Sequence, residues 1–265
     1  MLSDITFGRY IPGNSLLHRL DPRTKVICAL AAAVAVIIAV NWYGFILLAG
    51  FAFISVALSG LSSKTCLSGL RSLWVLLAIT FFAQVLLTPG EVLLGHGALK
   101  VSREGLEAGS RIFMQLALLI MFASLLTFTT SPVNLTAGIE SILSPLKRVG
   151  VPAHELAMMV TIALRFVPTL LAEAEIIMKA QRSRGARFGS GGALERVKSL
   201  LPLFVPLFAG ALRRADELAT AMEARCYRGG AGRTRMNSFV LDLPDYVAIG
   251  VSIAVLAGSA VLRIL

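Results

Sequence analysis

Residues 26–40 read VICALAAAVAVIIAV, residue 41 is Asn, and residues 42–61 read WYGFILLAGFAFISVALSGL. Neither run holds a charged side chain, and a single polar residue divides them. A helix needs about 20 mainly apolar residues to cross the hydrocarbon core of a bilayer. The pair therefore reads as a tight helical hairpin, with Trp42 and Tyr43 at the membrane–water interface. Leu73–Thr88, Ile112–Thr130 and Tyr246–Leu262 are further stretches of the same kind, which makes five spans. Bulk composition agrees: of 265 residues, 56% are hydrophobic and only 15% charged, with a mean hydropathy of +0.79. A soluble domain usually carries more charge. The first twenty residues are polar and mixed, so no cleavable signal peptide is expected.

Lysine and arginine set the orientation. Arg9, Arg19, Arg23 and Lys25 precede the first span, and Lys64 and Arg71 lie between the second and third. Both places are expected in the cytoplasm. Between Pro89 and Arg111, three basic residues balance Glu91, Glu104 and Glu107, so this loop can lie outside. Five spans then put the N-terminus inside and the C-terminus outside. At the first cytoplasmic end, Asp21 reads as a helix cap and Pro22 as a first-turn residue. Arg23 and Lys25 hold that end in the cytoplasm. These four residues are a structural anchor in this reading.

Residues 131–243 break the pattern. They contain fifteen of the 25 Lys and Arg residues and nine acids, yet stay rich in Leu, Val and Ala. Ser131-Pro132 is a helix opening. Val133, Leu135, Ile139, Ile142, Leu143, Leu146 and Val149 then form an apolar helical face, which Gly150 and Pro152 end. Two long helices follow, over 153–187 and 193–228, joined by Phe188-Gly189-Ser190-Gly191-Gly192. Each is about 50 Å long if continuous, and Pro168, Pro202 and Pro206 are expected to kink them. Such arms suit a position partly in and partly under the membrane surface. The alternative is that Leu156–Ala172 is one more span. The resulting fold class is all-α: a polytopic membrane protein with about five transmembrane helices and a cytoplasmic domain of long amphipathic coupling helices. Its expected parts are an N-terminal membrane domain (1–130), a coupling domain (131–243) and a C-terminal transmembrane helix (244–265).

The two long helices end alike. Ala174–Arg187 reads AEIIMKAQRSRGAR and Ala215–Arg228 reads ADELATAMEARCYR, aligned without gaps at an offset of 41. Phe-Val-Pro precedes each copy, at 166–168 and 204–206. One arginine near a helix C-terminus complements the macrodipole and needs no other role. Two in the same small-Arg-small context suggest more. Ser183 and Gly185 flank Arg184, and Ala224 and Cys226 flank Arg225. Small neighbours let a guanidinium enter a narrow groove and bind a carboxylate bidentately, which Lys does poorly. Two equivalent plugs suggest two equivalent sockets, and a dimeric partner supplies these most simply.

Chemistry within the chain finds little support. Cys28, Cys66 and Cys226 and the histidines His18, His96 and His154 are scattered without metal-ligand or disulfide spacing. No phosphate-binding G-x-x-x-x-G-K-[ST] loop occurs, since no Lys-Ser/Thr follows the cluster at 189–192. An integral membrane enzyme would need grouped ionisable residues near one leaflet. A self-contained permease would need a polar path, and Gln84 and Gln115, the main polar side chains of the spans, read as helix–helix hydrogen bonds. The basic segment carries no nucleic-acid-binding motif.

Four segments in order, namely Leu17-His18-Arg19-Leu20-Asp21-Pro22-Arg23-Thr24-Lys25, Leu164-Arg165-Phe166-Val167-Pro168, Ala180-Gln181-Arg182-Ser183-Arg184-Gly185-Ala186 and Arg214-Ala215-Asp216-Glu217-Leu218 with Ala221-Met222-Glu223-Ala224-Arg225, resemble the transmembrane T component of energy-coupling factor (ECF) transporters. The resemblance covers nearly the whole chain. It implies a cell-membrane scaffold that couples two ATP-binding subunits, a heterodimer, to a small substrate-binding membrane subunit for vitamin or metal-ion uptake. A dedicated cobalt- or nickel-type T component of the same family is the alternative. ATP and magnesium would belong to the partners, with no cofactor in this chain. The X-Arg-X motifs Ser183-Arg184-Gly185 and Ala224-Arg225-Cys226 would each dock in one ATPase. The family commonly has Ala-Arg-Gly at both, and Cys226 departs from a Gly that could end the helix in a left-handed turn. Gly229-Gly230 could supply that stop instead.

Overall fold

The computed structural model describes residues 10–94, 101–145, 152–186, 192–229 and 240–264. In chain order the helices are α1 (Leu16–Arg19), α2 (Pro22–Ile38), α3 (Trp42–Ser59), α4 (Ser63–Ser72), α5 (Trp74–Leu87), α6 (Arg103–Thr129), α7 (Pro132–Leu143), α8 (Ala153–Ser183), α9 (Ala193–Ala224) and α10 (Leu243–Ile264). A small antiparallel ladder, β1 (Val92–Leu94) with β2 (Val101–Ser102), precedes α6. The protein is an all-α polytopic membrane protein. The helices α3, α6, α8 and α10 are long and apolar enough to cross a membrane, and α4–α5 joins them if that bent pair is one span. At 17 residues, α2 is slightly shorter.

Contacts divide the chain into two units. The membrane unit comprises Gly8–Ile139 and Asn237–Leu265, and the arm unit comprises Glu140–Met236. The start of α7 thus packs with the membrane unit: a side chain at Gly138 would stand 3.1 Å from the Pro22 backbone.

The core of the membrane unit lies between α2, α3, α6 and α10. Its buried residues include Ala32, Ala35, Val36 and Ala39 of α2, Phe45 and Leu48 of α3, and Leu118 and Phe122 of α6. Lipid removes most of the hydrophobic drive between helices, so packing depends on close approach. The alanine-rich face of α2 permits it. A second close approach joins α5 to α6, where Gly105 and Gly109 repeat at the spacing that brings helix backbones together. A Cβ on Gly105 would stand 2.8 Å from Val85 O, and one on Gly109 3.2 Å from Phe81 O. The opposite faces expose Tyr43, Ile46 and Phe53 of α3 and Val75, Ile79 and Phe82 of α5. Such large apolar surfaces suit contact with lipid or another membrane subunit.

Several expectations change in detail. The span expected at Leu73–Thr88 is preceded by α4, with a 54° bend between the two helices. The helix expected from Ile112 begins at Arg103, because Ser102 caps it by accepting a hydrogen bond from Gly105 N at 3.0 Å. Much of the presumed outer loop is therefore helical. Gln84 accepts from Thr88 Oγ1 at 3.1 Å, a bond at the end of its own helix and not across to a neighbour. The helix opening at Ser131 forms, with Ser131 Oγ accepting from Asn134 N at 3.3 Å. Its apolar face beyond Pro145, at Leu146 and Val149, lies outside the described residues, as does the linker at 188–191.

A buried polar knot ties the ends of this unit together. Asp21 Oδ1 accepts from Arg23 N at 2.8 Å and so caps α2, with Pro22 in the first turn. The Asp21 backbone N–H in turn donates to Asp245 Oδ1 at 2.9 Å, across 224 residues of chain. Asp245 Oδ2 accepts from Asp242 N at 3.0 Å and holds the first turn of α10. Lys25 Nζ donates to His18 O at 3.0 Å and Thr129 O at 3.1 Å, which adds α1 and the end of α6. At the other end of the hairpin, Asn41 Nδ2 donates to Leu262 O at 2.6 Å. Asp245 is only 4% exposed, so removing its carboxylate strands a buried donor. Asp245→Ala should lower stability in detergent by about 2 kcal/mol, and Asp245→Asn, which keeps one acceptor, by about half as much. Thermal unfolding followed by tryptophan fluorescence measures both.

Candidate functional site

Helices α8 and α9 form the candidate site. They run through their prolines, Pro168 in one and Pro202 and Pro206 in the other. At 31 and 32 residues, each is close to 50 Å long, or about 1.5 Å per residue. On α9, Leu200, Leu201, Phe204, Val205, Phe208 and Leu212 are exposed. Their recurrence over one helical face gives the arm an apolar stripe suited to a membrane surface.

Both arms end in the same hydrogen-bonded turn. At the end of α8, Gly185 N donates to Arg182 O at 3.0 Å and Ala186 N to Gln181 O at 2.9 Å. Gly185 lies in the left-handed region at φ +88°. At the end of α9, Cys226 N donates to Glu223 O at 2.9 Å and Tyr227 N to Met222 O at 3.0 Å. This is the Schellman pattern, which satisfies the last carbonyls of a helix. Arg184 and Arg225 occupy the same position in it, the capping residue just before the left-handed one. Ser183, Arg184, Gly185, Ala224, Arg225 and Cys226 are all exposed. Among the described residues neither Arg184 nor Arg225 makes an ion pair.

The second turn does not wait for Gly229. Cys226 itself adopts φ +53°, the only positive φ at a non-glycine among the described residues. Gly229 is left-handed as well, three residues later, and Gly230 lies outside the described residues. The helix C-terminus imposes the turn on a residue whose Cβ disfavours it, because two orphan carbonyls gain partners there.

The arms are joined by Glu173 and Arg214, whose Oε2 and Nη2 are 2.6 Å apart. A Cβ on Gly210 would stand 3.1 Å from Glu173 Oε1, so α9 presents its backbone to this contact. Eleven residues separate Glu173 from Arg184, and eleven separate Arg214 from Arg225. Chain length then limits how the arms cross. The segment from Ser183 to Ala193 reaches at most about 35 Å, while parallel straight axes through this contact would need it to span about 46 Å. The two arms therefore do not run side by side in the same direction. On straight axes the two arginine-bearing ends lie roughly 20 Å or more apart. One narrow groove cannot hold both.

The anchor residues lie elsewhere, in the membrane unit. Asp21, Pro22 and Lys25 are buried and Arg23 is half-buried. That unit also has an apolar groove of about 580 Å³, lined among others by Leu17, Phe51, Phe122 and Val251. Lys25, the only charged residue lining it among the described residues, already bonds to two carbonyls. Cys28 is half-buried, Cys66 buried and Cys226 exposed, all as free thiols.

Residues 13–236 match the family model described as cobalt transport protein, CbiQ. Over 263 residues the chain is 50% identical to the energy-coupling factor transporter transmembrane protein EcfT of Acidaminococcus fermentans, covering 99% of this chain and 98% of that protein. The chain belongs to this family. The EcfT of Thermosediminibacter oceani is 50% identical over 252 residues, 94% of this chain and 95% of that protein. That of Listeria innocua is 44% identical over 259 residues, 97% of each. The protein is thus a transmembrane component of the energy-coupling factor transporter family.

Sequence reasoning located both arginines but gave Glu173 no role and missed Asp245. Left-handed backbone at a residue with a Cβ costs about 1–2 kcal/mol. Cys226→Gly should recover much of this at the end of α9, whereas Cys226→Val should cost at least as much again. Hydrogen exchange at Arg225, Cys226 and Tyr227 should slow in the first variant and quicken in the second.

Proposed function

We propose that this protein is the energy-coupling scaffold of an ECF-type importer, in which Arg184 and Arg225 each dock in one subunit of an ATPase pair. The two exposed arginines in identical helix-ending turns, held too far apart for one groove, support this reading best. Each arginine is carried at a defined point of the backbone, because the Schellman turn fixes the chain on both sides of it. Small neighbours leave it standing clear, so a carboxylate-lined cleft can receive it bidentately. ATP and magnesium are bound by the partners, whose closure moves the arms. The arms pass this motion to the membrane unit, which holds a small substrate-binding membrane subunit. The N-terminus and both arms lie on the cytoplasmic side of the cell membrane.

The dedicated cobalt- or nickel-type use draws on the description of the matched family as cobalt transport protein. Affinity purification of the assembled complex separates the two uses. Several different substrate-binding subunits in one preparation mark a shared scaffold, and a single one marks a dedicated scaffold.

Arg184→Glu combined with Arg225→Glu should cut recovery of the ATPases with this protein at least tenfold, by replacing two attractive contacts with repulsive ones. Each single change should lose less, because the other plug remains seated. Arg→Lys at both sites should fall between, since an ammonium cannot bind bidentately. Full recovery of both ATPases with the double Glu variant would falsify the docking reading.

A further inference from the structure

The repeat that aligns the two arginines reaches further than their shared turns. At the same offset of 41 residues, Glu173 falls on Arg214. These are the two side chains that meet at 2.6 Å between the arms. For two copies of one element related by a local two-fold axis, equivalent positions approach each other only where the axis passes. Glu173 and Arg214 satisfy this, and the equal eleven-residue lengths to Arg184 and Arg225 follow from it. The repeat also departs from identity at this position: one copy carries an acid and the other a base. Two like charges on the axis would repel, and two apolar residues would leave the crossing free to slide. An opposite pair gives the crossing one preferred register. Gly210 sharpens this, because any side chain there would press on the Glu173 carboxylate.

We propose that Glu173 and Arg214 are positioning residues that form the fulcrum of the two arms, fixing the angle at which Arg184 and Arg225 are presented to the ATPase pair. The proposal rests on the docking reading above. With the register fixed, closure of the two sockets must turn the crossed arms as one body. With it loose, slippage at the crossing absorbs the same closure.

The test uses the complete complex with its ATPase pair and membrane subunit in lipid nanodiscs. Spin labels replace Lys179 and Thr220, which are exposed and equivalent at the 41-residue offset, after Cys28→Ser, Cys66→Ser and Cys226→Gly remove the native thiols. Their separation is measured by double electron–electron resonance, before and after trapping with MgATP and vanadate. The parent complex should show one narrow distribution that shifts as a whole on trapping. Glu173→Gln and Arg214→Gln should each broaden it at least twofold while the ATPases remain bound. The reversed pair, Glu173→Arg with Arg214→Glu, should restore the parent width. Unchanged width and shift in both single variants would overturn the fulcrum and leave docking intact, as would broadening that the reversed pair fails to repair. Retention of the ATPases by the Arg184→Glu, Arg225→Glu protein would overturn the docking reading, whatever the distance distributions show.

Discussion

The carboxylate of Asp245 holds the membrane unit together at the end where α2 and α10 begin. It receives the N–H of Asp21, whose own side chain caps α2, and the N–H of Asp242 ahead of α10. Helices in lipid gain little from burying apolar surface against one another, so direction must come from small residues and from polar groups with one good geometry. Here the two devices act on the same pair. The alanine face of α2 lets α10 approach, and the aspartates at their shared end set which turn meets which. Lys25 brings in the carbonyls that end α1 and α6. A basic run that reads as a simple positive-inside signal is therefore also the clasp of the bundle.

The arms obey a different constraint. They are long, partly apolar and sparsely covered, and their defining features are how they end and where they touch. A helix end is usually a frayed, adaptable place. Two hydrogen bonds beyond each capping arginine remove that freedom. The short link between the arms then keeps their two arginine-bearing ends apart. Neither property needs a large core.

Much of this was legible in the sequence, and the rest was hidden for identifiable reasons. Hydropathy located the hairpin at 26–61, because long uncharged runs have few other uses. The X-Arg-X motifs stood out through their repetition. The clasp was only half visible: the capping role of Asp21 is local in sequence, whereas its partner Asp245 lies 224 residues away and carries no periodic signal. The early start of α6 at Arg103 was masked by charge, since Arg103, Glu104, Glu107 and Arg111 look like a loop until Gly105 and Gly109 are read as a packing face. Cys226 departs from the glycine expected there, yet the turn forms at it. The hydrogen bonds at the helix end proved stronger than the preference of one Cβ. Glu173 and Arg214 were one step beyond the aligned segment, and their opposite charges hid them from a search for identity.

The Asn41–Leu262 and Asp21–Asp245 bonds together have a consequence for biosynthesis. Both ends of the first long helix, α2, are secured by α10, which is translated long after it. Until α10 emerges from the ribosome, the alanine face of α2 has no α10 to lie against and Asp21 N–H has no acceptor. A chain cut short before α10 would leave an open seam in the bilayer, available to chaperones and proteases. Closure of this seam thus waits on the arrival of α10.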